Sequence, residues 1–206
     1  TRLAVVRQDI LIVAEDIGFT YSWRDAAIRL LIFAALTLLG EALNMLAPFP
    51  VIALPAGYGL ALLYRRQESA LPLALGGAAI AGLGAALVRQ PPDAVDMLWP
   101  MLSGFITTLT LMLAGWWSYR KSRGLASPLS SYQAFLWFLG ALTLGCLVAV
   151  LPELAMSPQH LAELNPPVLN LWLASFLGAL ATAVPTLAHE GYTPTRQAAN
   201  RSGEAV

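Results

Sequence analysis

The chain has 206 residues with 12 basic and 12 acidic side chains, so its formal net charge is zero. Hydrophobic residues make up 57% and charged residues only 12%, about half the charged fraction of an ordinary soluble protein. The apolar residues come in blocks of roughly 15–20, the length that crosses a hydrocarbon core about 30 Å thick. This composition predicts an integral membrane protein in a lipid bilayer and gives no indication of a nucleic-acid partner.

Residues 1–24 precede the first long apolar block and carry an amphipathic pattern. Their apolar side chains recur at alternating steps of three and four residues: Leu3, Val6, Ile10, Val13 and Ile17. This spacing is typical of a helix with one apolar face, so we expect an interfacial helix along the inner headgroups. A seam in a homodimer, or a contact with another subunit, is the alternative. The stretch lacks the features of a cleavable signal peptide.

Six apolar stretches follow, and we expect them to form an all-α polytopic bundle of about six transmembrane helices over residues 25–190. Their approximate limits are 26–47, 50–64, 71–88, 97–117, 132–151 and 168–188. With a cytoplasmic N terminus, six crossings place every Lys and Arg except Arg89 on the cytoplasmic side, as the positive-inside rule requires. We therefore expect a bacterial inner-membrane protein with both termini in the cytoplasm, ending in a polar, flexible tail over 191–206.

The second stretch is unusual because it is short and contains prolines. Pro48 and Pro50 lie in the outer turn before it, where a missing N–H costs little. Pro55 lies inside it, close to Gly57. Lipid cannot satisfy backbone groups that a proline leaves unpaired. We therefore expect a short, broken helix packed in the centre of the bundle.

Small residues recur at helical spacing on three other stretches and predict close helix packing. They are Gly76, Gly77, Ala81, Gly82, Ala85 and Ala86 on the third, Gly140, Ala141, Gly145 and Ala149 on the fifth, and Ala174, Gly178 and Thr182 on the sixth. Aromatic residues near the span ends predict anchors at headgroup depth. At the inner side these are Trp23, Tyr64, Trp116, Trp117 and Tyr119, and at the outer side Phe49, Trp99 and Trp172.

The sequence offers little for catalysis or metal binding. It contains no HExxH, CxxC, P-loop or GxSxG motif. His160 and Glu163 supply only two potential metal ligands, too few for a site. The lone Cys146 can form no intramolecular disulfide. We expect no catalytic residue, metal or cofactor in this chain.

Glu41 is the most informative ionisable residue, because it lies in the outer half of the first span with Asn44 one turn further on. A carboxylate at membrane depth is costly and by default indicates a functional site. The alternative is that Glu41 reaches water at the outer interface or bonds a freed carbonyl near Pro55.

Three segments resemble the MASE1 family of membrane sensor domains. They are "LAPFPVIALPAGYGLALLYRRQESALPLALGGAAIAGLGAAL" (46–87), "FLWFLGALTLGCLVAVL" (135–151) and "LNLWLASFLGALATAVPTL" (169–187). The shared features are a proline-interrupted short span followed by a Gly/Ala-rich span, and a closing span with the Gly178–Pro185 spacing. The resemblance covers about residues 25–188. It departs in the span count, commonly about eight in the family, and in Ile52–Leu54, where the family often has tryptophan.

The resemblance implies a sensor that precedes a cytoplasmic output: a diguanylate cyclase, a cyclic-di-GMP phosphodiesterase or a histidine kinase. This chain contains no GG(D/E)EF, EAL or kinase motif, so the output belongs to another segment or a partner protein. The expected ligand or signal core comprises Glu41, Asn44, Pro55, Gly57, Tyr58, Trp172 and Gly178. Alternatives are an accessory subunit of a larger membrane complex, and a small solute-binding subunit of a transporter.

Overall fold

The structure is a computed structural model that describes residues 22–46, 53–89, 94–123, 128–156 and 167–191. These ranges contain six α-helices and no strand. The helices are α1 (Trp23–Leu46), α2 (Leu54–Arg66), α3 (Leu71–Arg89), α4 (Ala94–Arg123), α5 (Tyr132–Met156) and α6 (Pro167–Gly191), with a 3-10 turn over Gln67–Ala70 between α2 and α3. The predicted all-α bundle is confirmed.

All the described α-helices except α2 are long and apolar enough to cross a membrane. The five candidate spans are Trp23–Met45, Leu71–Val88, Met97–Ser122, Tyr132–Leu151 and Leu171–His189. Their outward faces expose large apolar side chains, including Leu31, Leu87 and Leu151, each more than half exposed. Such faces are stable against lipid and unfavourable in water. The chain is therefore a multi-pass membrane protein.

Helix α2 is the shortest α-helix described and lies in the centre of the bundle. Its 13 residues span about 20 Å, less than the hydrocarbon core of about 30 Å. Every residue from Leu54 to Leu63 is buried. The helix contacts α1, α3, α4 and α6. The prediction of a short, central helix is confirmed.

The prediction that α2 is broken is wrong. Pro55 is the second residue of a helix that continues without interruption to Arg66. The first N–H groups of a helix have no intrahelical partner, so a proline there removes nothing. Pro55 looked internal because the apolar run begins before the helix does. Pro48, Phe49 and Pro50 lie outside the described residues.

Contacts between neighbouring helices show which helix ends lie together. Phe33 in α1 packs edge-on against Tyr58 in α2, with ring centroids 5.0 Å apart. The Tyr64 hydroxyl donates to the Gly115 carbonyl at 2.9 Å, so α2 and α4 end side by side. Residues from the start of α1 and the end of α6 line one cleft, as Asp25 and His189 do.

These contacts place one set of helix termini at a common end of the bundle, which we call the arginine end. It holds the start of α1, the ends of α2, α4 and α6, and the short turn that leads into α3. Every basic residue of the described helices except Arg89 lies there: Arg24, Arg29, Arg65, Arg66, Arg120, Lys121 and Arg123. The basic residues of the described helices therefore cluster at one end of the folded bundle.

Most of the predicted small-residue contacts are present. A Cβ on Gly82 would overlap the Met101 carbonyl of α4, and one on Gly145 would lie 2.9 Å from the Leu111 carbonyl. Gly77 lies against the Phe33 ring. Gly140 is the exception, because nothing lies within 4 Å of a Cβ built there. Its assignment to the packed face of α5 is wrong.

The aromatic anchors divide into two groups. Trp116 and Trp117 lie near the arginine end, and the Arg120 and Lys121 cations lie 5.2 and 4.9 Å from their respective ring centroids. Tyr64 and Tyr119 instead pack edge-on against each other inside the bundle, and Tyr119 is only 2% exposed. Their prediction as headgroup anchors is wrong. The predicted interfacial helix lies almost wholly in residues 1–21, outside the described residues, as do residues 192–206, His160 and Glu163.

Candidate functional site

A partly enclosed polar cavity lies towards the end of the bundle opposite the arginine end. Its volume is about 60 Å³, enough for a few water molecules. Its walls come from α1, the first turn of α2, α3 and α4. The polar lining residues are Thr37, Glu41, Asn44, Ser103, Thr107 and Thr108, and the small or apolar ones are Gly40, Ala53, Pro55, Ala81, Ala85, Gly104 and Leu111.

Helical spacing explains why these polar residues converge. Thr37, Glu41 and Asn44 follow one another at steps of four and three, which places them on one face of α1. Ser103 and Thr107 are four residues apart and share one face of α4. The α3 wall consists of Ala81 and Ala85 and therefore leaves space between the two polar faces.

The polar groups in this cavity are not equally satisfied. The Thr37 hydroxyl donates to the Phe33 carbonyl of its own helix at 2.8 Å, and Asn44 and Ser103 also have partners. Thr107 Oγ1 is buried and forms no hydrogen bond to any described residue. Glu41 is the only ionisable side chain among the described lining residues, and none of those residues carries a basic group. The described lining thus holds one buried hydroxyl without a hydrogen bond and one carboxylate.

The first turn of α2 also contacts α6, and we call this contact the α2–α6 joint. The Thr182 hydroxyl donates to the Leu54 carbonyl at 2.8 Å. A Cβ on Gly57 would overlap the Ala179 carbonyl and the Thr182 hydroxyl, so only glycine permits this approach. Because Ala53 and Pro55 line the cavity, the same turn joins the cavity to α6.

A second, more open cleft of about 440 Å³ lies at the arginine end between α1 and α6. Tyr58 and Pro185 contribute to its lining, and Asp25, Arg29 and His189 bring charged or titratable groups. The two recesses share no described lining residue, so they are separate sites.

The predicted core residues therefore fall into four places. Glu41, Asn44 and Pro55 meet in the polar cavity. Gly57 lies at the α2–α6 joint together with Gly178, whose carbonyl accepts a longer bond of 3.3 Å from the Thr182 hydroxyl. Tyr58 lines the second cleft.

Trp172 lies apart from all three places. Its ring stacks on Phe176 with centroids 5.7 Å apart, and its indole N–H donates to the Thr143 carbonyl of α5 at 3.5 Å. Trp172 therefore supports the packing of α6 on α5 and does not line the polar cavity.

The contribution of α4 to the cavity was not predicted from the sequence. The segment "SGFITT" places Ser103, Thr107 and Thr108 within an otherwise apolar span, and the four-residue step from Ser103 to Thr107 was the available signal. Thr37, which lies four residues before Glu41 on α1, was also not predicted as a cavity residue.

Comparison with known proteins adds no relative to these observations. No protein-family model, curated protein or solved structure matches the chain. The resemblance to the MASE1 family stays a prediction.

Proposed function

We propose that this chain is a membrane sensory domain, similar to the MASE1 family, that binds a small polar ligand in the cavity and relays binding through α2 to α6. The cytoplasmic side is the arginine end, in agreement with the positive-inside rule. The end of α6 then leads towards an output module or partner protein in the cytoplasm, most simply an enzyme of cyclic-di-GMP signalling.

The observation that carries this proposal is the double contact of the first turn of α2. Ala53 and Pro55 line the cavity, while Leu54 and Gly57 contact α6. A ligand that favours one position of this turn changes the position preferred by Thr182 and therefore by α6. A ligand shifts such an equilibrium only by its difference in affinity for the two arrangements.

Pro185 gives α6 a point at which such a shift can change its course. It lies inside the helix, three residues beyond Thr182. A proline there removes one main-chain hydrogen bond and favours bending. The Thr186 hydroxyl donates to the Thr182 carbonyl at 2.7 Å, a bond that holds the helix together across this position. The relay we propose ends in the segment beyond Pro185.

The size of the polar cavity disfavours a vitamin-sized solute at that site. The cavity of about 60 Å³ is several times smaller than the roughly 300–1,000 Å³ typical of sites for drug-sized ligands. A small ligand with few atoms is the better match. This comparison supports sensing of a small solute or ion.

The relay is tested by joining the full chain to a diguanylate cyclase domain and measuring cyclic-di-GMP in cells that lack other cyclases. Glu41→Gln alters the cavity, and Thr182→Val removes the bond to Leu54. We expect each to change basal output about fivefold or more, the lower range of typical allosteric coupling. In the double variant we expect the output of Thr182→Val alone, because a cavity change is no longer transmitted.

Thr110→Val is the matched control, since Thr110 is on α4 but does not line the cavity. We expect it to leave the output unchanged at equal protein level in the membrane. The relay is contradicted if Glu41→Gln and Thr182→Val act additively, or if neither changes output while both proteins are present at the wild-type level.

A further inference from the structure

The charge balance of the polar cavity indicates what kind of ligand it holds. Glu41 lies within the apolar span Trp23–Met45 and is the only ionisable residue among the described residues of the lining. A carboxylate within a membrane span favours a cationic partner, because an unpaired charge is costly at that depth. A net charge of minus one is neutralised by one monovalent cation.

The other polar groups of the cavity suit a cation and not an anion. The hydroxyls of Ser103, Thr107 and Thr108 and the amide of Asn44 offer oxygen acceptors. Oxygen is the donor type preferred by hard cations, and the same atoms accept hydrogen bonds from an ammonium group. No Lys, Arg or His is among the described lining residues. The described lining therefore offers no counter-charge to a phosphate or carboxylate ligand.

The buried Thr107 hydroxyl is the second, independent observation. Threonines in membrane helices ordinarily bond a carbonyl of their own helix, as Thr37 does with Phe33 at 2.8 Å. Thr107 Oγ1 is buried without any such bond. A buried polar atom without a partner carries a desolvation cost unless a ligand satisfies it. The described lining thus combines a buried hydroxyl that forms no hydrogen bond to a described residue with a carboxylate.

The available volume sets the upper size of the ligand. About 60 Å³ admits a bare alkali ion with a few waters or a small primary ammonium group, by the measure of roughly 10–15 Å³ per water. Bulky quaternary cations and amino acids exceed it.

We propose that the cavity is a binding site for a small monovalent cation, held by the Glu41 carboxylate and the Thr107 hydroxyl. The proposal deepens the sensory function proposed above and rests on it for biological meaning, but cation binding is measurable without any output. The shared chemistry is a single positive charge that accepts oxygen ligands. Its two sources, an alkali metal and a primary ammonium ion, are separated by experiment.

The test uses the purified full chain in lipid nanodiscs at constant ionic strength. Sodium, lithium, potassium or methylammonium chloride replaces chloride of the bulky cation N-methylglucamine, and thermal unfolding is recorded by tryptophan fluorescence. We expect at least one small cation to raise the unfolding temperature in a saturable manner, because binding to the folded state alone stabilises it. Stabilisation by an alkali ion but not by methylammonium identifies a metal site. Stabilisation by methylammonium but not by an alkali ion identifies an ammonium site.

Variants assign the effect to the cavity. Glu41→Gln and Thr107→Val should each weaken cation binding about tenfold or more, equivalent to the loss of one good interaction. Thr110→Val, on α4 outside the cavity lining, and Asp25→Asn, at the arginine end, should keep the wild-type response. Using both cavity variants protects the test against one that fails to fold.

Two results overturn the cation site: no small cation stabilises the wild-type chain beyond N-methylglucamine, or the stabilisation persists in Glu41→Gln. If no small cation stabilises the chain, but the effect of Glu41→Gln on the cyclase fusion still requires Thr182, the cation site is rejected and the relay is retained. A saturable cation effect with a silent fusion rejects the relay and retains the site.

Discussion

Single atoms at the α2–α6 joint decide how closely the central helix approaches its neighbour. Gly57 has no space for even one methyl group, because Ala179 and Thr182 occupy the position of its Cβ. Gly140 on α5 has open space within 4 Å. The two glycines look alike in the sequence, yet one is required by a contact and the other is not.

Gly57→Ala should destabilise the folded chain by about 1–3 kcal/mol, the usual range for overpacking, because the new methyl group meets backbone atoms. Gly140→Ala should be neutral or stabilise by up to about 1 kcal/mol, since alanine favours a helix more than glycine does. Unfolding in mixed detergent micelles with rising SDS measures both. Equal stability of the two variants would contradict the assigned contact.

At the scale of helices, the pairing of α4 with α5 depends on backbones that approach closely. Gly145 brings α5 against the Leu111 carbonyl of α4, and Gly115 of α4 lies beside the same glycine. Cys146 follows immediately and is completely buried. The only cysteine in the chain is therefore a native reporter of whether this pair of helices stays closed.

A membrane-permeable maleimide should leave Cys146 unmodified in the folded protein and react with it after unfolding. Gly145→Val should speed labelling of the folded protein about tenfold or more, because the larger side chain forces α4 and α5 apart at a cost of about 1–3 kcal/mol. Gly140→Val, on the same helix, should label as slowly as wild type. Rapid labelling of the wild-type chain would contradict the close pairing.

The limits of the helices show how far hydropathy alone predicts them. The third predicted span, 71–88, ends one residue before α3, which is Leu71–Arg89. The fourth, 97–117, stops well before α4 ends at Arg123. Hydropathy marks where side chains leave lipid, whereas the main-chain hydrogen bonds of α4 continue through the polar residues that follow Trp117. The helix order was predictable, but the helix ends were not.

The candidate site was predictable only where a residue is anomalous by itself. Glu41 stands out as a carboxylate within an apolar span, and Pro55 stands out as a proline near the start of one. Thr107 does not, because a threonine in a membrane helix ordinarily bonds its own backbone and gives no signal in the sequence. Its meaning appears only when α1, α3 and α4 assemble around a common cavity.

At the scale of the whole molecule, the two ends of the bundle formed by the six described α-helices differ in their residues. The arginine end carries all but one of the basic residues of these helices, and the polar cavity lies towards the other end. Helix α2 bridges this distance from inside. The sensory function proposed above requires a ligand to bind on one side of the bilayer and the change to be delivered on the other, so it depends on which helix ends share a side.

The most direct measurement of this arrangement is labelling of introduced cysteines in intact cells and inverted vesicles with a membrane-impermeant maleimide. Trp23, Ser122 and His189 are exposed at the arginine end, and Met45 is exposed at the opposite end of α1. In a Cys146→Ala background, cysteines replacing the first three should react only in inverted vesicles, and Met45→Cys only in intact cells. Reaction of Trp23→Cys and Ser122→Cys from opposite sides would contradict the account.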